Sequence, residues 1–250
     1  MKLAFYFLVS LSLLSSVAHA SSGIQSTSAI MPFSQYHQCD KRLNYDVYFH
    51  GQRIGNYNRH IQWQDAFKAT VTTTGKANVL LTKSTLNMTS HLYWSDKKQQ
   101  FVSQGYERKI KGLLSGKVTA QFLRDGEQSK LVVDKTQLQF ASKDLTPILD
   151  GDAIGAQMRY LLLKGEKSFE FNFQDTDEVN HYYFIVKGEE MINTRFGKLK
   201  AIRVEQTRKK DRKLVLWFAP SIDYQLVRAT YHRKLLDLEA VLVSKNFSCH

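Results

Sequence analysis

At 250 residues, 43% of them hydrophobic, the chain is long enough to bury a sizeable core. Its 35 Lys and Arg against 23 Asp and Glu give a formal charge of +12, which favours anionic partners. After the first twenty residues no run approaches about eighteen consecutive apolar residues, which excludes a membrane-spanning helix from the remainder.

Residues 1–20, MKLAFYFLVSLSLLSSVAHA, read as a cleaved signal peptide. Lys2 supplies the positive start, Leu3 to Val17 the apolar stretch, and Ala18-His19-Ala20 the small-x-small cleavage site. Ser21 and Ser22 follow the site rather than a cysteine, which argues against a lipoprotein anchor. The expected compartment is therefore the periplasm. Residues 21–38 are Ser/Thr-rich without a period and read as a flexible leader, and 39–250 as a single β-rich domain.

Cys39 and Cys249 bracket that domain. An isolated pair in an oxidising compartment favours a structural disulfide, and no C-x-x-C supports redox chemistry. A bond between them requires the two ends of the domain to be adjacent, as in a closed or nearly closed sheet.

From Asn44 the pattern is period two. Tyr45, Val47 and Phe49 share a face, Gly51 marks a turn, and Ile54-Gly55 begins the return strand. Further short strands follow, punctuated at Gly75, Gly112, Gly116 and Asp125-Gly126. One segment differs. Ile154, Met158 and Leu161-Leu162 recur at helical spacing, with Asp150 or Asp152 as N-cap and Gly165 as stop. This predicts one helix over roughly 152–163, weakened by Gly155. Strands then resume through SFEFNFQ, HYYFIVKGEEMINT, GKLKAIRVEQTRK, RKLVLWFAP, YQLVRATYHRK and LEAVLVSKNF. The expected fold is mainly β: a curled antiparallel sheet, an open or half barrel of about a dozen strands, packed on that helix.

Motifs for chemistry are weak. Gly112 to Val118 has three residues between its glycines and Val118 where a phosphate loop needs Ser or Thr. The seven histidines after residue 20 show no zinc spacing, and Asp175 to Glu178 lacks the glycine and distal glutamate of a calcium loop. No G-x-S-x-G elbow is present. Catalytic residues, metal and cofactor are accordingly all expected to be none.

Charge and apolar patterning are the remaining signals. Basic residues cluster at Arg108, Lys109 and Lys111 and at Arg208 to Lys213, including Lys209, Lys210 and Arg212. They read either as solubilising turn residues or as contacts for an anionic headgroup. Nucleic acid is a poor partner for an exported chain and is not expected. Several strands are apolar on both faces, either because both faces are core or because one lines a groove. Groove candidates are Trp217, Phe218, Tyr183, Ile185, Met158 and Leu162.

Several landmarks resemble the DUF3108 family of exported bacterial proteins of uncharacterised function. They are YDVYFHGQRIGNY, the helix DGDAIGAQMRYLLLKGE, YYFIVKGEEMINTRFGKLKAIRVEQ and LWFAPSIDYQLVR, together spanning about 44–243. Ser221 and Gln225-Leu226 depart from the family's usual aspartate and leucine-proline at those places. The resemblance implies an exported β-rich domain with a curled sheet around a helix, similar to carriers of lipids and lipoproteins, and it supplies no catalytic residues. Three functions stay open: a non-enzymatic binder of a lipid-like ligand (a lipopolysaccharide-like one included) or of an anionic envelope surface, an assembly factor docking an envelope protein, and an envelope enzyme without a recognisable motif.

Overall fold

A computed structural model describes residues 39–79, 82–112 and 115–249, so the expected signal peptide and leader lie outside the described residues. The first meander comprises β1 (Cys39–Phe49), β2 (Gln52–Trp63), β3 (Lys68–Val79), β4 (Thr82–Ser95), β5 (Gln100–Lys111), β6 (Gly116–Leu123), β7 (Gln128–Val133) and β8 (Thr136–Ala141). A two-residue strand, β9 (Ile148–Leu149), leads into the helix α1 (Gly151–Leu163). The second meander comprises β10 (Ser168–Gln174), β11 (Val179–Thr194), β12 (Gly197–Thr207), β13 (Lys213–Ala219), β14 (Gln225–Arg233) and β15 (Leu236–Cys249).

All fifteen strands form one sheet, in the order β8 to β1, then β15 down to β9. Every neighbouring pair is antiparallel except β9 with β10. The seam between the two meanders is β1 on β15, where Cys39 is the register partner of Cys249 and is bonded to it. The strand count exceeds the expected dozen in part because β9, only two residues long, does not stand out as a periodic run.

The sheet curls until its two ends meet. Ile148 of β9 donates its N–H to Gly126 O in the β6–β7 turn at 2.8 Å, and Ser129 of β7 donates to the Gln174 side chain of β10. Ile148 is buried among Tyr106, Val118, Ala120, Phe122 and Leu131, a small core that fills this closure. Gly126 is required there. Its φ is +83°, and a Cβ would lie 2.9 Å from Pro147 and 3.0 Å from Ile148 O. The result is a nearly closed, barrel-like sheet.

At the same closure the β10–β11 turn buries Asp175, which is 3% exposed. Its Oδ1 accepts the Thr176 N–H, its Oδ2 has no partner, and burial pushes its carboxyl up to about 7. Between an unfolded value of about 4 and that folded value, the folded protein holds a proton the unfolded chain has released. Stability therefore falls as pH rises through this window. Asp175→Asn is expected to flatten the fall and to raise stability at pH 8 by on the order of 2 kcal/mol. Urea midpoints of both proteins at about pH 5 and pH 8 check this, since only the wild type should shift strongly by linkage at this site.

Helix α1 lies inside the curve of the sheet rather than on an outer face. Asp150 is its N-cap, accepting the N–H groups of Asp152 and Ala153 at 2.8 and 2.9 Å. Ser90 Oγ of β4 donates to Asp150 at 2.7 Å, and the Asp150 N–H donates to Ser103 Oγ of β5 at 2.7 Å. Gln157 accepts the Phe101 N–H of β5 at 2.9 Å. Only Gly151 of the helix is exposed, which explains why a single apolar stripe is a poor description of it.

Antiparallel alternation gives the barrel two distinct ends. The C-terminal half of α1 plugs one. There Arg159 Nη2 donates to Asp223 Oδ2 at 2.8 Å, beyond the end of β13, and Lys41 Nζ of β1 meets the same carboxylate at 3.0 Å. The disulfide lies at this end too. The other end carries the β1–β2, β3–β4, β5–β6, β7–β8, β10–β11, β12–β13 and β14–β15 turns, away from the C-terminal half of α1.

Candidate functional site: a cavity between the helix and the sheet

Inward positions set by period two converge on a cavity of about 500 Å³ between α1 and the concave sheet. Its volume lies within the ~300–1,000 Å³ of small-molecule sites. From β1 to β4 the wall includes Tyr45, Val47, Tyr57, Ile61, Val71, Ala77, Leu86 and Met88. From β13 to β15 it includes Leu214, Leu216, Phe218, Ala229 and Leu238, and α1 contributes Ile154, Gly155, Ala156 and Met158. A Cβ built on Gly155 meets nothing within 4 Å, so this glycine opens directly onto space.

The wall is mostly apolar, with Asn56, Thr73, Lys76, Gln225 and Glu239 among its polar points and one polar spot built from a buried ion pair. Arg59 of β2 is ion-paired with Asp152 in the first turn of α1, and both line the cavity. Tyr45 and Tyr57 stack beside it with ring centroids 4.5 Å apart. Tyr45 donates its hydroxyl to Leu226 O at 2.9 Å, and burial raises its phenol to about 12. Burial and the nearby Asp152 push Asp150 up to about 6, while burial raises Asp152 against the opposing pull of Arg59. Asp152 is only 7% exposed, yet its Oδ2 has no hydrogen-bond partner, and neither has Arg59 Nε. The pair is close to neutral as a unit. It offers one acceptor and one donor to an uncharged polar group and gives little net attraction to a free anion.

Of the six residues expected to line a groove, Phe218 and Met158 are on the cavity wall. Leu162 is buried in the core toward the plugged end, beyond the wall. The other three stand on the opposite face of their strands. Trp217 lies between Arg203 and Arg228, whose guanidinium carbons are 5.9 and 5.3 Å from its ring, and it donates its indole N–H to Glu190. Tyr183 carries the Arg208 guanidinium 3.7 Å above its ring, and Ile185 is 39% exposed. Cation–π contact and an indole partner let large aromatics occupy an outer face. Their neighbours Tyr182, Phe184 and Leu216 take the inward positions instead.

The basic residues also divide. Lys109, Lys111 and Lys210 are exposed, Lys209 is half-buried, and Arg108 is half-buried with a 2.6 Å bond to Thr176. Arg212 departs from the expectation altogether. It is buried and grips the Asp211 carboxylate at 2.9 and 2.7 Å, so it is not placed to meet a headgroup.

Among the described residues no group of three or more His, Cys, Asp or Glu gathers as a metal site, and no helix is long and apolar enough to cross a membrane. Sequence reasoning missed Arg59 and Asp223 and offered Asp152 only as a possible N-cap, not as the partner of Arg59 in the cavity. The available signal was Arg59 itself, a charged residue in the inward slot between Tyr57 and Ile61.

Comparison with known proteins agrees with this architecture. A solved structure, the beta-barrel-like protein of domain of unknown function DUF1849 from Brucella abortus, is similar with a TM-score of 0.58 at 9% identity. The match covers 85% of this chain and 99% of that one, and at this identity it bears on the fold alone. No curated protein matches the chain. The family model described as protein of unknown function (DUF3108) matches residues 44–235, most of the chain, which therefore belongs to the DUF3108 family.

Proposed function

We propose that this is an exported, non-enzymatic envelope protein that holds the apolar part of an amphiphile in the cavity beside α1. The observation that carries the reading is the cavity itself: about 500 Å³ of space with a largely aliphatic and aromatic wall, onto which a helix glycine opens. Burying a methylene stabilises a complex by ~0.8 kcal/mol, so an acyl chain is a suitable occupant. The Arg59–Asp152 pair would meet an uncharged ester, amide or hydroxyl group on that chain. The Cys39–Cys249 bond supports an oxidising compartment.

The test uses full-length mature protein, stripped of lipid by partial unfolding and refolding. Titration with cis-parinaric acid in detergent-free buffer is expected to give saturable fluorescence enhancement at one site per chain. Native mass spectrometry of unstripped protein is expected to show a retained amphiphile. Stripped protein that takes up no probe would overturn the reading.

A further inference from the structure

We propose that the unplugged end of the barrel docks on an anionic phospholipid bilayer, presenting the cavity to the membrane. The inference rests on the tail-binding reading above and adds where the protein meets its ligand.

Topology brings three features to this one end. The first is the cavity: Val47, Ile54, Ala77 and Leu238 of its wall lie next to the β1–β2, β3–β4 and β14–β15 turns. The second is charge. Lys76, Lys83, Lys109, Lys111, Lys210 and Lys234 are all exposed near or in the turns of this end. In sheet order they run from β5 across the β1–β15 seam to β12, an arc around the opening. The third is an exposed apolar tip. Leu235 in the β14–β15 turn is 84% exposed, directly after Lys234. It is held in place, since its carbonyl bonds the His50 ring at 2.9 Å and the His50 N–H donates to Asp237 O at 3.0 Å.

The opposite end also exposes apolar side chains, Phe67 at 45% and Leu145 at 63%, but there the helix fills the barrel mouth. Its turns carry Asp65, Asp96, Asp125, Asp144 and Asp223 among their basic residues. Acidic residues at the unplugged end are Asp134 in the β7–β8 turn and Asp175 to Glu178 at the β10–β11 hairpin, both outside the basic arc, and Asp211 and Asp237 within it, where Asp211 is ion-paired with Arg212 and Arg233. Lysines around an exposed leucine suit an anionic interface, where charge attracts and the apolar tip inserts.

Cosedimentation with protein-free vesicles tests the proposal. Wild-type protein is expected to bind phosphatidylglycerol–phosphatidylcholine vesicles, to bind pure phosphatidylcholine vesicles far less, and to release as salt is raised. The combined variant Lys109→Glu, Lys111→Glu, Lys210→Glu and Lys234→Glu is expected to lose at least about a hundredfold in vesicle affinity. Its circular dichroism and its cis-parinaric acid uptake should stay as in the wild type. Leu235→Ser is expected to weaken vesicle binding several-fold at unchanged fold. Equal binding of the charge variant and the wild type would overturn the proposal. So would binding to a membrane fraction but not to protein-free vesicles, which points to a protein partner instead. Selective vesicle binding without probe uptake would leave docking standing and remove the tail-binding reading, whereas uptake without vesicle selectivity would do the reverse.

Discussion

Gly155→Phe is expected to abolish cis-parinaric acid uptake while leaving the protein at least as stable as the wild type. Glycine inside a helix costs about 0.5–1 kcal/mol relative to alanine, so a helix keeps one only for a reason. At Gly155 neither a turn nor close packing supplies that reason. Its φ is not positive, and a Cβ would meet no atom within 4 Å. What it borders is the cavity, with Ile154 and Met158 on either side along the helix. Gly155→Ala should therefore raise stability by about 0.5–1 kcal/mol and leave most of the space open. Gly155→Phe places an aromatic ring in the volume a tail would occupy and should reduce probe affinity by more than about tenfold, or ~1.4 kcal/mol. The paired comparison separates occupancy from folding. Full uptake by a stable Gly155→Phe protein would place the tail elsewhere, and collapse of both variants would mean the helix tolerates no side chain there.

That glycine shows how far the sequence could be read. Apolar spacing located α1 to within a residue of its start, and Asp150 was one of two caps the sequence offered. Spacing could not say that the helix sits inside the sheet, because Gly155 looks like a weakness until the space beside it is known. Period two sorted β13 into Leu214, Leu216 and Phe218 on one face and Val215 and Trp217 on the other. Which face is the lumen depends on partners far along the chain. Trp217 is outward because Arg203 and Arg228, on the flanking strands, stack on it there. Arg59 is inward because Asp152, 93 residues away, neutralises it. Hydrophobicity alone would reverse both assignments. Pairing of distant charges is invisible to local periodicity, so the polar spot in the cavity was the part least legible. The disulfide was legible because two cysteines allow only one internal pairing.

Removing that disulfide, as Cys39→Ser with Cys249→Ser, is expected to lower stability by roughly 5 kcal/mol in the chain-entropy picture for so long a loop. The cysteines are 210 positions apart, and their Cα atoms lie 3.9 Å from each other as register partners at the end of the β1–β15 seam. That seam joins the two meanders through strands β1 and β15, and it must form between opposite ends of the described chain. Without the bond, every unfolding event separates those ends fully, and refolding must close the loop again. A typical domain has only ~5–15 kcal/mol of stability, so the effect should be plain in urea titrations, and dithiothreitol should produce it in the wild type. The bond sits at the end plugged by α1, beside Lys41, Asp223 and Arg159, and away from the unplugged end. Under folding conditions the double serine variant should therefore keep its probe affinity and its vesicle selectivity. An unchanged urea midpoint would show that the ends stay close in the unfolded chain. A lost probe affinity in folded variant protein would show that the seam, rather than α1 and the inward side chains, shapes the cavity.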